Sequence, residues 1–198
     1  MNKLIFATQN PNKVEEVREA LNHAIPIVSL PEAGVFIEIP EPFDTLQENA
    51  REKARVISQL TNEDCFGEDT GLEVDALDGA PGVKSARYAG EDRDFKKNLQ
   101  LLLKNMEGVH NRKARFRTVI ALHWQNDYHF FEGVCEGEIL HQALGELGFG
   151  YDPVFKPAGG HKSFAEMTLA EKNIFSHRRK AMDQLVKFLK ENSGSANA

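Results

Sequence analysis

Glu68 and Asp69 stand side by side at the end of a short apolar run, and Thr70-Gly71 follows at once. Neighbouring carboxylates repel each other. They are best tolerated where a cation bridges them or where one keeps a proton for acid/base work. The stretch from Phe66 to Tyr88 continues with Glu73, Asp75, Asp78 beside Gly79 and Pro81 beside Gly82, then Lys84, Arg87 and Tyr88. It reads as a strand that delivers an acid pair to a loop-rich, acid-lined wall of an active site.

Three other segments carry groups suited to chemistry. Thr8-Gln9-Asn10-Pro11-Asn12-Lys13 lies between an apolar strand and a helix start. Such a loop presents free backbone N–H groups and the positive end of the helix dipole, both of which favour phosphate; Lys13 adds a formal charge. The plainer alternative is that Asn10 or Asn12 caps the helix and Lys13 is solvated. In Leu147-Gly148-Phe149-Gly150-Tyr151-Asp152-Pro153, glycines around aromatics let the backbone approach a flat ligand while a ring stacks on it; an ordinary turn with its rings in the core is the alternative. His177, Arg178, Arg179 and Lys180 open the last helix, the wrong end for cations, so a bound anion or hydrogen-bonded ligand would compensate them. Taken together, the four segments suggest a metal-dependent enzyme acting on a phosphorylated flat molecule.

The elements that must position these groups follow from periodicity. Lys3 to Ala7 is an apolar strand, and Asn12 to Leu21 a helix with Val14, Val17 and Leu21 on one face. Ile25 to Leu30 reads as a second strand, and Val35 to Pro40 as another extended piece. After it, Glu41 sits in a stiff linker between Pro40 and Pro42, where an ordinary solvated acid is the plain reading. Thr45 to Glu48 is a capping box, its side chains exchanging bonds with each other's backbone N–H. The helix it opens carries Leu46, Ala50, Ala54 and Ile57 on one face, with Asn49 and Lys53 one turn apart on its flank. Asp94 to Met106 is an amphipathic helix with Phe95, Leu99, Leu102 and Met106 inward. Arg115 to Trp124 and Tyr128 to Glu136 form a hairpin that places Arg115, Phe116, Arg117, Phe130 and Phe131 on the sheet surface and in the core. A second capping box, Thr168 to Glu171, opens a short helix with Lys172. Ser176 caps the last helix, which packs through Ala181, Leu185 and Phe188, and the tail from Ser193 to Ala198 reads as disordered.

A chain of 198 residues supports one substantial domain. With 24 basic against 30 acidic side chains and a net charge of -6, it lacks the basic excess of a general nucleic-acid or anionic-membrane binder. Cys65 and Cys135 are the only cysteines, both in apolar runs, and no leader or membrane-length apolar run is evident. A reduced, cytoplasmic protein is expected.

The motifs, in their order, resemble those of the Ham1 or RdgB family of inosine/xanthosine triphosphate pyrophosphatases, which remove non-standard purine nucleotides. The resemblance runs from Thr-x-Asn-x-x-Lys at Thr8, through Glu-Asp-Thr-Gly-Leu-x-Val-Asp and Gly-Ala-Pro-Gly-x-x-Ser-Ala-Arg-Tyr, to Gly-Phe-Gly-Tyr-Asp-Pro and Ser-His-Arg. Departures are mild: Gln9 stands where Gly is common, Glu68 and Thr70 replace Asp and Ser, and Arg179 replaces a frequent Gly. The resemblance implies an α/β fold in which a long, twisted mixed sheet floors a cleft between two lobes, with residues 1–192 forming one two-lobed domain that assembles as a homodimer. It also implies that Thr8, Gln9, Asn10, Pro11, Asn12, Lys13 and Lys53 hold phosphates. Glu41 and Asp69 would serve Mg2+, with Glu68 a further candidate, and Asp69 would be the acid/base residue. Thr70, Phe149, Gly150, Tyr151, Asp152, Lys172, His177 and Arg178 would surround the nucleoside of a purine nucleoside triphosphate. Two rivals stand beside this reading: an aspartic protease, from the triplet Asp69-Thr70-Gly71, and a non-catalytic nucleotide sensor.

Overall fold

Among the described residues, 3–21 and 25–192 of the computed structural model, the chain forms an α/β fold around a seven-stranded mixed sheet. The tail read as disordered, Ser193 to Ala198, lies outside the described residues. Two compact units share the chain: Met1–Asp69, Thr118–Gly133 and Arg178–Ala198 form the first, Thr70–Arg117 and Val134–His177 the second.

In the first unit, β1 (Leu4–Phe6) is buried along its length. It lies parallel to β2 (Ile27–Ser29) and to β3 (Cys65–Val74), with Ile5 opposite both Val28 and Cys65. A parallel strand covered on both faces needs a continuous apolar run, which Leu4-Ile5-Phe6 supplies. The Phe6 ring stacks on Phe66 at 4.4 Å. Helix α1 (Pro11–Leu21) starts with proline in its first turn, where the missing N–H has no helical partner to lose. Helix α2 (Leu46–Thr61) buries Leu46, Ala50, Ala54 and Ile57. Only half of the expected box forms: the Thr45 hydroxyl accepts from the Glu48 N–H at 3.2 Å, and the Glu48 carboxylate takes the Thr45 hydroxyl at 2.7 Å in place of the Thr45 N–H.

Strands β5 (Lys113–Trp124) and β6 (Asp127–Ile139) form the expected hairpin. They turn through Gln125 and Asn126, whose φ values of 52° and 63° suit a two-residue turn between right-twisted strands. Helix α5 (His177–Asn192) adds Ala181, Met182, Leu185 and Leu189 to the core of this unit, with Phe188 packed against it.

In the second unit, β4 (Pro81–Gly82) pairs antiparallel with the distal half of β3, Leu72 opposite Gly82. Asp94 caps α3 (Phe95–Asn105), accepting from the N–H groups of Lys96 and Lys97. The buried face of α3 is Asn98 and Leu102, not Phe95, which is exposed. Asn98 donates to the Ala86 carbonyl at 2.9 Å and accepts from the Ala89 N–H at 2.7 Å, so a polar side chain shares the buried face with Leu102. Strand β7 (Phe155–Pro157) lies antiparallel to β6, and the Thr168–Glu171 box opens α4 (Leu169–Phe175) as anticipated. Leu72, Val74, Phe116, Ile139, Phe155 and Phe164 centre this core.

Three expectations are corrected. The second strand is shorter than Ile25 to Leu30, spanning Ile27–Ser29. The acid pair does not end a strand: β3 runs on through Thr70, Gly71 and Leu72 to Val74, because β4 supplies a ladder partner beyond the acids. Glu73, read as part of an acidic wall, is held by Arg115 Nε at 2.7 Å and Arg117 Nε at 2.9 Å.

The turn after β2 makes one prediction. The Glu32 carboxylate accepts from the Ser29 N–H and hydroxyl at 2.8 and 2.7 Å and from Arg18 at 2.6 Å, and these bonds lower its pKa from 4.5 to about 2. A depressed carboxyl contributes stability above its unfolded value and loses it as pH falls toward the folded one. Glu32→Gln should therefore lower the melting temperature at neutral pH, with the gap from the parent closing between pH 4.5 and about 2. Thermal melts across that range would show it, and a gap independent of pH would contradict it.

Candidate active site

In the first unit, α2 and β3 bring Lys53 and Asp69 together, and the irregular segment before α2 adds Glu41. Lys53 points its ammonium at Asp69 Oδ1, 2.8 Å away, and at the Glu68 carbonyl, 3.0 Å away, and it also contacts the Glu41 carboxylate. The approach depends on Gly67. A Cβ there would lie 2.1 Å from the Ala50 carbonyl oxygen and 2.8 Å from Lys53 Cβ, so only a glycine lets the strand come this close to the helix. Burial pushes Asp69 above the ordinary carboxylate range and Glu41 adds to this, against the pull of Lys53 and Lys13. Burial works against the charge of Lys53, but Asp69 and then Glu41 outweigh it and hold its pKa high. Asp69 thus faces an ammonium in this unit, whereas a protease dyad would set it against a second acid sharing a proton.

Two carboxylates converging on one cation are a donor set that Mg2+ accepts, since it binds through one or two protein carboxylates and completes its shell with water and substrate phosphate. Among the described residues, no group of three or more His, Cys, Asp and Glu side chains could hold a metal unaided.

Glu68 belongs elsewhere. Successive strand residues face opposite sides, and Glu68 meets Arg178 where Asp69 meets Lys53, while Lys13 acts on both. Its two oxygens accept from Arg178 Nε and Nη2 at 2.7 and 2.8 Å, and Lys13 Nζ lies 3.2 Å from Oε1. Arg178 also binds Glu16. Two of the misplaced cations are therefore met by the protein's own carboxylates: Arg178 by Glu68 and Glu16, and Arg179 by Asp183 one turn on, at 2.8 Å. Burial opposes the charge of Arg178, and Glu68 and then Glu16 raise its pKa in spite of it.

In the segment from Thr8 to Lys13 the helix is capped as the plainer reading has it. The Asn10 carboxamide oxygen accepts from the Asn12 N–H at 3.0 Å and is the helix cap, while the Thr8 hydroxyl accepts from the Asn10 N–H at 3.1 Å. Lys13 is not simply solvated, being paired with Glu68. The Gln9 side chain donates to the Ile37 carbonyl at 2.7 Å, a bond that glycine could not make.

The second unit gathers Phe149, Asp152 and Lys172. The buried Asp152 carboxylate accepts from the Phe149 N–H at 2.9 Å and from Lys172 Nζ at 2.5 Å. The ammonium lies 5.3 Å from the Phe149 ring centre and 5.2 Å from that of Phe164. Gly148 must lack a side chain, since a Cβ would fall 2.1 Å from Asp152 Oδ2. Gly150 takes φ 63° and Thr70 is partly exposed. Tyr151 follows the plainer reading: it lies in the core and donates its hydroxyl to the Ser85 carbonyl at 2.8 Å. His177 stacks flat on Phe116, with ring centres 4.7 Å apart.

Gly67, Glu16 and Ser85 were missed as positioning residues. Gly67 had a signal, a glycine inside an apolar strand run, which marks a close backbone approach. Glu16 had none, because an acid among helix residues gives no sign of which face it takes. The Ser85 hydroxyl accepts from the Leu72 N–H at 2.9 Å and donates to the Gly82 carbonyl at 2.6 Å, a role that shows only once the chain is folded.

Comparison with known proteins bears on this geometry. The profile described as the Ham1 family matches residues 4–188. A dITP/XTP pyrophosphatase of Porphyromonas gingivalis is 53% identical over 190 residues, 96% of this chain and 98% of that protein. One from Flavobacterium johnsoniae is 47% identical over 187 residues, 94% and 97% of the two chains. The solved structure of a HAM1 protein from Coxiella burnetii superposes with a TM-score of 0.87 at 36% identity, covering 96% of this chain and all of that one. The Staphylococcus aureus Ham1 protein gives 0.85 at 32%, covering 96% and 98%.

The contact at Gly67 is testable. Gly67→Ala forces strand and helix apart at a backbone atom, and overpacking of this kind costs about 1–3 kcal/mol. The melting temperature should fall, and turnover should fall further than the stability loss explains, because Lys53 and Asp69 separate. A variant matching the parent in both would show that the strand and helix do not need this approach.

Proposed function

Because the chain belongs to the Ham1 family, we propose that it hydrolyses non-standard purine nucleoside triphosphates, ITP, dITP and XTP, to the nucleoside monophosphate and pyrophosphate. The observation that carries the proposal is the ammonium of Lys53 shared by Glu41 and Asp69 in a buried setting. Curated relatives that match along almost their whole length are dITP/XTP pyrophosphatases.

In this reading a water oxygen attacks phosphorus and the anhydride bond between the α- and β-phosphates breaks. Asp69 takes the proton of the attacking water. Burial makes it a stronger base than an exposed carboxylate, which suits that task. Bound Mg2+ would neutralise phosphate charge, and Glu41 and Asp69 would hold it. Lys13, Lys53 and the backbone from Thr8 to Asn12 bind phosphate oxygens.

Thr70, Phe149, Gly150, Tyr151, Asp152, Lys172, His177 and Arg178 serve the nucleoside. Phe149 offers a ring face, Asp152 and Lys172 fix each other, and Lys172 and His177 supply donors for a 6-keto oxygen. Arg178 acts through Glu68 and Glu16, which already engage its guanidinium. A homodimer and a cytoplasmic location complete the proposal. No helix among the described residues is long and apolar enough to cross a membrane, and light scattering of the purified protein tests the dimer.

A panel of nucleoside triphosphates with Mg2+, scored for pyrophosphate, is the direct test. ITP, dITP and XTP should exceed ATP by about a hundredfold to ten-thousandfold, because adenine sets a donor against donors, and GTP by a smaller margin. Equal cleavage of ATP and ITP would overturn the substrate assignment. Asp69→Asn should keep the parent's fold by circular dichroism and lower turnover by about a hundredfold or more. Activity within a few-fold of the parent would remove Asp69 from the chemistry.

A further inference from the structure

Glu41 has no secondary structure to hold it. From Val35 to Thr45 the backbone is irregular, yet the Glu41 carboxylate reaches Lys53 beside Asp69. Ordering such a segment costs about 1–2 kcal/mol per residue in backbone entropy, so something must fix it. Asn49 supplies the means. Its side chain is buried, with the residue 1% exposed. Its Oδ1 accepts from the Phe43 N–H at 3.0 Å and its Nδ2 donates to the Phe43 carbonyl at 3.0 Å. The carboxamide thus pairs with the loop as a neighbouring strand would.

The spacing makes this pairing specific. Asn49 and Lys53 lie four residues apart on α2 and share a face. One holds the backbone two residues beyond Glu41, and the other holds the Glu41 carboxylate itself. On the far side of Glu41, Gln9 donates to the Ile37 carbonyl. Between these two tethers Pro40 and Pro42 flank Glu41 and fix φ at both neighbours. The segment is therefore a short, stiff strap anchored at both ends, and its buried anchor is the stronger one because water does not compete for it.

We infer that Asn49 is a positioning residue for the metal ligand Glu41. The inference rests on the proposed assignment of Glu41 to Mg2+, and the two are separable by experiment. Asn49→Ala should raise the Mg2+ concentration for half-maximal turnover about tenfold, the lower end of what loss of an outer-shell partner does to metal affinity. Saturating Mg2+ should restore kcat to within about twofold, which it would not do for a generally damaged fold.

In a Glu41→Gln background the same substitution should add less than about twofold, since the effect passes through Glu41. A readout independent of activity is amide hydrogen exchange: Phe43 should lose protection while the central turns of α2 keep theirs. Should Asn49→Ala fail to fold, Asn49→Leu keeps the volume without the two bonds, and the same results are expected of it.

If Glu41→Gln shifts the Mg2+ midpoint and the Asn49 variants do not, or if the two effects multiply, the positioning role is wrong. If Glu41→Gln itself leaves the midpoint unchanged, the metal assignment fails and the inference falls with it.

Discussion

The chemistry of the first unit depends on β3 and α2 touching with no side chain between them at Gly67. A helix normally rests on a sheet through its side chains, and at that distance a lysine in its second turn would overshoot the strand backbone. Removing one Cβ brings the Lys53 stem down onto the strand, so its ammonium reaches both a strand carbonyl and the next residue's carboxylate. Glu41 follows, because it is drawn to the same ammonium. A steric fact at one residue thereby becomes an electrostatic one at three.

The second constraint is charge balance in a dry interior. Glu16, Glu68 and Arg178 are all but inaccessible to water. An ion taken from water loses several kcal/mol of solvation, which close, well-aligned partners must repay. Arg178 answers Glu68 through two parallel bonds and Glu16 through a third, and Lys13 brings the set to neutrality. Removing any one member leaves a buried charge uncompensated. In the second unit Asp152 and Lys172 solve the same problem as a pair, with two aromatic rings near the ammonium.

Much of this was legible in the residues, for reasons that differ by element. The Thr168 capping box, the hairpin and the helix faces apart from Phe95 depend on local rules and came out close to what is observed. The segment from Thr8 to Lys13 was legible as a cap and as a cation, but not as to what the cation pairs with. The acid pair was legible as two neighbouring carboxylates, but not as to which cation each meets, Arg178 for Glu68 and Lys53 for Asp69. The misplaced cations of α5 misled in a related way: the compensation came from Glu16 and Glu68, 162 and 110 residues away in the chain. Pairings at that range have no local signature. Family resemblance reached further than residue spacing could in fold and family, because it brings whole motifs together in order.

Asn98 repeats in the second unit what Asn49 does in the first, a helix side chain taking both hydrogen bonds of a loop backbone. Beyond the single 3-10 turn at Ser85–Arg87, such a loop has no ladder of its own to melt. Its order is borrowed from the helix, so the two open together as one cooperative piece. The stretch from Ala86 to Ala89 is therefore tied to the opening of α3, which follows it in the chain, and not to that of β3. A substitution that frays the first turns of α3 would loosen this segment without touching it.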